Sequence, residues 1–117
     1  TQGVSSAASD VYKRQVAERA RSGDPIAVEV FASAGRAVAL ACASAATLLD
    51  LPRAIVGGGV SEAWDLLAPA IEQTLRTDSP VSGLPLVIAP ARLGADAVAL
   101  GAIEAARRTL VTAGERS

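Results

Sequence analysis

The chain has 117 residues and a mass of 11.7 kDa, a length that suits one domain or part of one. Half of the residues are hydrophobic and 20% are charged, which permits a buried core and excludes a disordered segment on composition. Eleven basic residues against twelve acidic ones leave a net charge of −1 and a pI near 5.3, without the basic field that nucleic acid or an anionic membrane recruits.

The chain has no histidine and a single cysteine, Cys42. That removes His-based proton transfer, Ser–His and Cys–His nucleophile pairs, disulfide frameworks and the usual zinc sites. Alanine supplies 26 residues, and the aromatics are Tyr12, Phe31 and Trp64 alone, so the core must be built of small side chains in close backbone contact. This favours helices. The longest uncharged helical run, Ala37 to Leu49, falls short of the roughly 18 residues that suggest a membrane span. With no signal-peptide apolar region at the start, the expected location is the cytoplasm.

Residues 1–15 (TQGVSSAASDVYKRQ) are small and polar, then abruptly charged, with no helical or strand periodicity that continues past Gln15. They are expected to be a non-native or disordered tail, resembling translated adapter or vector sequence. A short helix is predicted from Val16 to Arg21, closed at Ser22-Gly23, where glycine can take the left-handed conformation. Asp24-Pro25 then opens a long helix: the carboxylate caps orphan backbone N–H groups, and proline at the first helical position loses no bond. That helix should run to about Leu49. Val28, Phe31, Gly35, Val38, Cys42, Ala45 and Leu49 form one apolar stripe, and Ile26, Val30, Ala37, Ala41, Ser44 and Leu48 a second, so both sides are expected to pack. Cys42 lies on the first stripe as a small core hydrophobe.

Pro52 ends the long helix, and Ala54-Ile55-Val56 reads as a short buried strand running into Gly57-Gly58-Gly59. Ser61-Glu62 opens another helical stretch with Trp64, Leu67, Ile71 and Leu75 on one face and a bend or restart at Pro69. Leu86-Val87-Ile88-Ala89 is the second strand, closed by Pro90. A last helix runs from Gly94 or Ala95 to about Thr112, with Ala99, Ile103, Ala106 and Leu110 on one face and Arg107-Arg108 in turns where positive charge suits the dipole. The order predicts an α/β arrangement: a parallel strand pair joined by a right-handed helical crossover. Parallel sheets normally have several strands and are covered on both faces. Residues 16–117 are therefore expected to supply one side of a larger sheet whose other strands lie upstream.

The stretch AIVGGGVSEAW, Ala54 to Trp64, is where chemistry is most readable. A strand runs directly into three glycines and then a helix start; glycines let backbone approach a ligand and adopt positive φ, and the N–H groups beyond can face phosphate or ribose oxygens. A tight strand-to-helix turn without ligand uses the same residues, so both readings stand on the local pattern. A GxxxxGK[ST] phosphate loop is absent, as is an acidic residue placed for a Rossmann ribose contact. Each carboxylate has a structural explanation: Asp24 as a cap, Glu62 and Glu72 on helix surfaces, Asp96 in the last helix's first turn. No residue is assigned to catalysis or to a metal.

From Val16 to Arg108 the sequence resembles the C-terminal region of the ROK (repressor, open reading frame, kinase) group of bacterial sugar kinases and sugar-responsive repressors. The resemblance rests on the Gly23-Asp24-Pro25 helix start, Leu51-Pro52 before the strand, the Gly57-Gly58-Gly59-Val60-Ser61 turn, and Leu93-Gly94-Ala95-Asp96 ahead of Gly101-Ala102. It implies part of an actin-like (ribonuclease H-like) ATPase fold, here the C-terminal, nucleotide-binding lobe, with ATP and sugar in the cleft between two lobes. By the same resemblance Gly57, Gly58, Gly59, Val60 and Ser61 form the adenosine-binding turn of an ATP- and Mg²⁺-dependent hexose kinase, glucokinase-like and homo-oligomeric. The family's first phosphate loop, its Asp base, its Glu-x-Gly-His sugar contact and its cysteine-rich zinc motif do not occur in this sequence, so the chain alone is expected to be inactive. Two alternatives are a repressor of the same family that has lost its DNA-binding module, and a structural fragment without ligand.

Overall fold

The computed structural model describes residues 2–116. Helix α1 spans Gln2–Arg21 and α2 spans Pro25–Leu49; strand β1, Arg53–Val56, leads through a 3-10 turn at Gly59–Ala63 into α3, Trp64–Thr77. Strand β2, Val87–Pro90, is followed by a 3-10 turn at Gly94–Asp96 and by α4, Ala97–Glu115. The first helix differs from expectation. It starts at Gln2, not Val16, because residues 4–15 contain neither proline nor glycine to interrupt it, and alanine, glutamine, lysine and arginine all favour helix. Its residues 8–15 are exposed, which accounts for the missing apolar period: the helix has no core face there.

The boundaries of α2 are those the capping residues predict. Asp24 is extended, and one carboxylate oxygen accepts from the Ile26 and Ala27 N–H groups at 3.0 and 3.5 Å, with Pro25 at the first helical position. At the other end Asp50 takes the left-handed conformation at φ 54°, an αL cap of the kind Asp tolerates. The buried face of α2 is Ala27, Gly35, Ala39, Ala43 and Ala46, which merges part of the first expected stripe with alanines between the two. The second stripe is not covered: Ile26, Val30, Ala37, Ala41, Ser44 and Leu48 are all exposed. Within the described chain α3, α1 and β1 all meet α2, and none of them covers the second stripe.

The main partner is α3. A Cβ placed on Gly35 would stand 2.8 Å from the Leu67 carbonyl oxygen and 2.9 Å from the Ala70 Cβ, so glycine is what allows the two helices to approach this closely. Leu67 and Ile71 of α3 join Ala39 as the core, flanked by Phe31, Val38, Trp64, Leu75 and Ile88. The helix continues through Pro69 without restarting, held along one side by Leu67 and Ile71. By length and hydropathy α2 would also suit a membrane span. Its smallest residues are nevertheless used in packing on α3, and Glu29 and Arg36 on its exposed side pair at 2.8 Å.

The two strands are parallel, with Arg53 opposite Val87 and Val56 opposite Pro90. The ladder extends at both ends: the Val87 N–H donates to the Pro52 oxygen at 3.0 Å and the Ala91 N–H to the Val56 oxygen at 2.8 Å. The strands were expected to be buried, and only one face is. Ala54 and Val56 are half-buried, whereas Ile55 is 60% exposed, because a pair covered by helix on one side leaves the other open. The described chain extends 61 × 43 × 22 Å with a radius of gyration of 18.0 Å, against roughly 13 Å for a compact domain of this length.

Candidate nucleotide-binding turn

The carboxyl ends of β1 and β2 lie side by side, and each opens into a short 3-10 turn. The two turns touch each other. In open parallel sheets this edge is where ligands bind. Among the three consecutive glycines only Gly58 has a backbone that requires glycine, with φ 84° and ψ −178°, a region that side-chain-bearing residues essentially do not enter. Gly57 lies beside β2, where an added Cβ would sit an ordinary 3.8 Å from the Ala91 Cβ. A Cβ on Gly58 or Gly59 would meet nothing within 4 Å: the outer side of the turn is open.

Ser61 fixes the shape of that turn. Its N–H donates to the Gly58 oxygen at 3.0 Å and its hydroxyl to the same oxygen at 2.6 Å, and the residue is 8% exposed. The hydroxyl proton is therefore committed to the turn. Val60 remains accessible. Of the five residues singled out from the sequence, the structure gathers all into one loop, with Gly57 to Val60 facing outward space and Ser61 holding them from within. The next residues, Trp64 and Asp65, start α3; Asp65 accepts from Arg21 Nε and Nη2 at 3.0 and 2.9 Å, tying the end of α1 to the helix that leaves the turn.

Of the remaining candidates Cys42 lies away from this edge, whereas Asp96 belongs to the second of the two turns. Cys42 is half-buried, and desolvation pushes its thiol up from the ordinary value, the signature of an unreactive packing residue. It lines an open apolar concavity with Ala46, Leu51, Ala54 and Leu86, away from the glycine turn. Asp96, expected inside the last helix, stands at its cap position without bonding a backbone N–H through its side chain. Among the described residues no three His, Cys, Asp or Glu side chains gather as a metal site. Arg92 is a residue that periodicity and motif do not reveal: it comes two residues after β2, in the turn that follows, is exposed, and forms no ion pair among the described residues. Its only sequence signal is its place just beyond Pro90.

The family model that matches this architecture is that of the ROK family, over residues 2–109. The chain belongs to the ROK family. Its fold is similar to that of a ROK family glucokinase from Streptomyces griseus in complex with glucose and AMPPNP, at TM-score 0.71 and 33% identity over 81% of this chain and 31% of that one. A protein described as a sugar kinase, from Cytophaga hutchinsonii, shares the fold at TM-score 0.60 and 24% identity, over 71% of this chain and 28% of that one. This ROK chain thus spans about a third of the length of the solved structures it resembles. No curated protein matches it. The family match begins at residue 2, ahead of the boundary that composition suggests near Gln15.

Proposed function

We propose that residues 16–117 are the C-terminal part of an actin-like nucleotide-binding lobe, and that Gly57 to Ser61 receive the adenosine end of ATP in a cytoplasmic, glucokinase-like hexose kinase. The observation that carries this reading is Gly58: a glycine-only conformation with open space on its outer side, at the carboxyl edge of a parallel strand pair. A turn of this kind lets backbone come close to a ligand without a side chain in the way. The likeness to a glucokinase holding glucose and AMPPNP supports the substrate class. In such a reaction Mg²⁺ offsets phosphate charge during transfer to the sugar hydroxyl. The described residues contain no carboxylate cluster suited to it, so none of them is assigned to the metal, and no base or sugar contact is assigned either.

The test is a chimera that joins this chain to the remaining segments of the Streptomyces griseus glucokinase. Gly58→Val is expected to weaken ADP binding at least tenfold, about 1.4 kcal/mol, while glucose binding, measured separately by calorimetry, stays the same. Gly59→Ala, which has ordinary φ and free space, should leave both unchanged. Equal loss of both ligands with Gly58→Val, or undiminished ADP affinity in the folded variant, would leave the turn a structural connection.

A further inference from the structure

We propose that Arg92 is a phosphate-binding residue for the nucleotide, positioned by β2 across from the glycine turn; this rests on the nucleotide reading of that turn. The strand register puts Val56 opposite Pro90, and the Ala91 N–H bond to the Val56 oxygen carries the ladder one step further. Gly57 and Ala91 are then neighbours, in keeping with the 3.8 Å between an added Cβ on Gly57 and the Ala91 Cβ. Arg92 follows in the turn that leads to the second 3-10 segment, which touches the 3-10 turn holding Gly59 to Ala63. Neighbouring strands lie about 4.8 Å apart, well within the length of an arginine side chain.

Charge at this edge makes Arg92 distinctive. Arg21, the other guanidinium near the start of α3, is already bidentate on Asp65. Glu62 and Asp96 stand on the two turns that flank Arg92, yet neither is paired with it. Arg92 is thus a cation without a partner among the described residues, exposed beside a turn whose backbone only glycine can adopt. Guanidinium is the side chain best matched to phosphate, through two parallel N–H donors. A diphosphate laid along Gly58 would supply the anion this edge lacks.

The test uses the full chain and the indole N–H signal of Trp64, the single tryptophan, which adjoins the turn and reports occupancy by NMR titration with ADP and, separately, adenosine. Arg92→Gln is expected to raise the ADP dissociation constant about tenfold, the scale of one charge-assisted contact, and to leave adenosine binding unchanged; Arg92→Lys should recover most of the loss. Thermal melting of the exposed-site variant should match the parent chain. ADP affinity unaltered by Arg92→Gln overturns the role of Arg92 and leaves the turn's assignment intact. Equal weakening of ADP and adenosine overturns a phosphate contact. Where the chain alone does not saturate, the same variants are read in the chimera, and absence of saturable ADP binding there overturns both the turn's assignment and this one.

Discussion

Helices α2 and α4 make an instructive pair, because both are long, alanine-rich and apolar on one face, yet they end in opposite states. On α2 five residues are buried, and Leu67 of α3, which packs against Ala39, is wholly enclosed. On α4 no residue is buried; Val98, Ile103 and Leu110 are 84%, 65% and 74% exposed, and its main contact is the turn that precedes it. Amphipathic spacing thus marks a face that needs cover without saying what covers it. Within this chain the deciding element is Gly35, which lets α3 come close enough to bury Leu67 and Ile71. Nothing equivalent among the described residues approaches α4.

The largest effect that could break this contrast comes from truncating one apolar residue on each side of it. Leu67→Ala should lower stability by about 2–5 kcal/mol through lost transfer energy and a residual cavity, whereas Ile103→Ala should stay within about 0.5 kcal/mol. Urea unfolding followed by circular dichroism measures both. Similar losses would mean that α4 is covered in solution. Glycine exchange gives a smaller effect with opposite signs. Gly35→Leu should overpack the contact and cost about 1–3 kcal/mol, since even a Cβ there meets backbone oxygen at 2.8 Å. Gly101→Ala in α4 meets nothing within 4 Å and should stabilise by about 0.5–1 kcal/mol through helix propensity. An unchanged melting transition for Gly35→Leu would show the α2–α3 approach to be looser than described.

The same contrast explains how much of the molecule can be read from its sequence. Asp24-Pro25 and the end at Leu49 delimit α2 because capping is local chemistry, written in adjacent residues. Both strands and the face Trp64, Leu67, Ile71, Leu75 are legible for the same reason, and so is the glycine turn as a loop between strand and helix, while the role proposed for it comes from its likeness to the ROK pattern. What the sequence does not disclose is non-local. The second stripe of α2 and the outer face of β1 look buried by pattern, but their cover is not among the described residues. Arg92 escapes notice because its proposed role depends on which turn its own turn meets beyond the strands. The extent of α1 is missed for a different reason: residues 8–15 are exposed, and a solvated stretch of helix has no apolar period to detect.

Electrostatics sharpens the contrast at its smallest scale. Asp65 at the start of α3 accepts both hydrogen bonds from Arg21, and that bonding, with the guanidinium charge, holds its carboxyl below the ordinary value against an opposing desolvation. Glu104 of α4 is likewise held low, by Arg107 first and then Arg108. The two cases differ in range. Arg21 and Asp65 are 44 residues apart and meet only in the folded chain, whereas the partners of Glu104 lie three and four residues along one helix and can meet whenever that helix forms. A carboxylate depressed in the folded state stabilises above its unfolded pKa, about 3.9 for aspartate, and this contribution is lost as pH falls through the lower folded value. Arg21→Gln should therefore flatten the fall in urea midpoint between neutral pH and pH of about 3, by a small amount because the pair is solvent-exposed. Arg107→Gln should leave that profile unchanged. If instead Arg107→Gln flattens the profile and Arg21→Gln does not, α4 takes part in the cooperative unit and the α1–α3 tie does not, which inverts the division between packed and unpartnered helices.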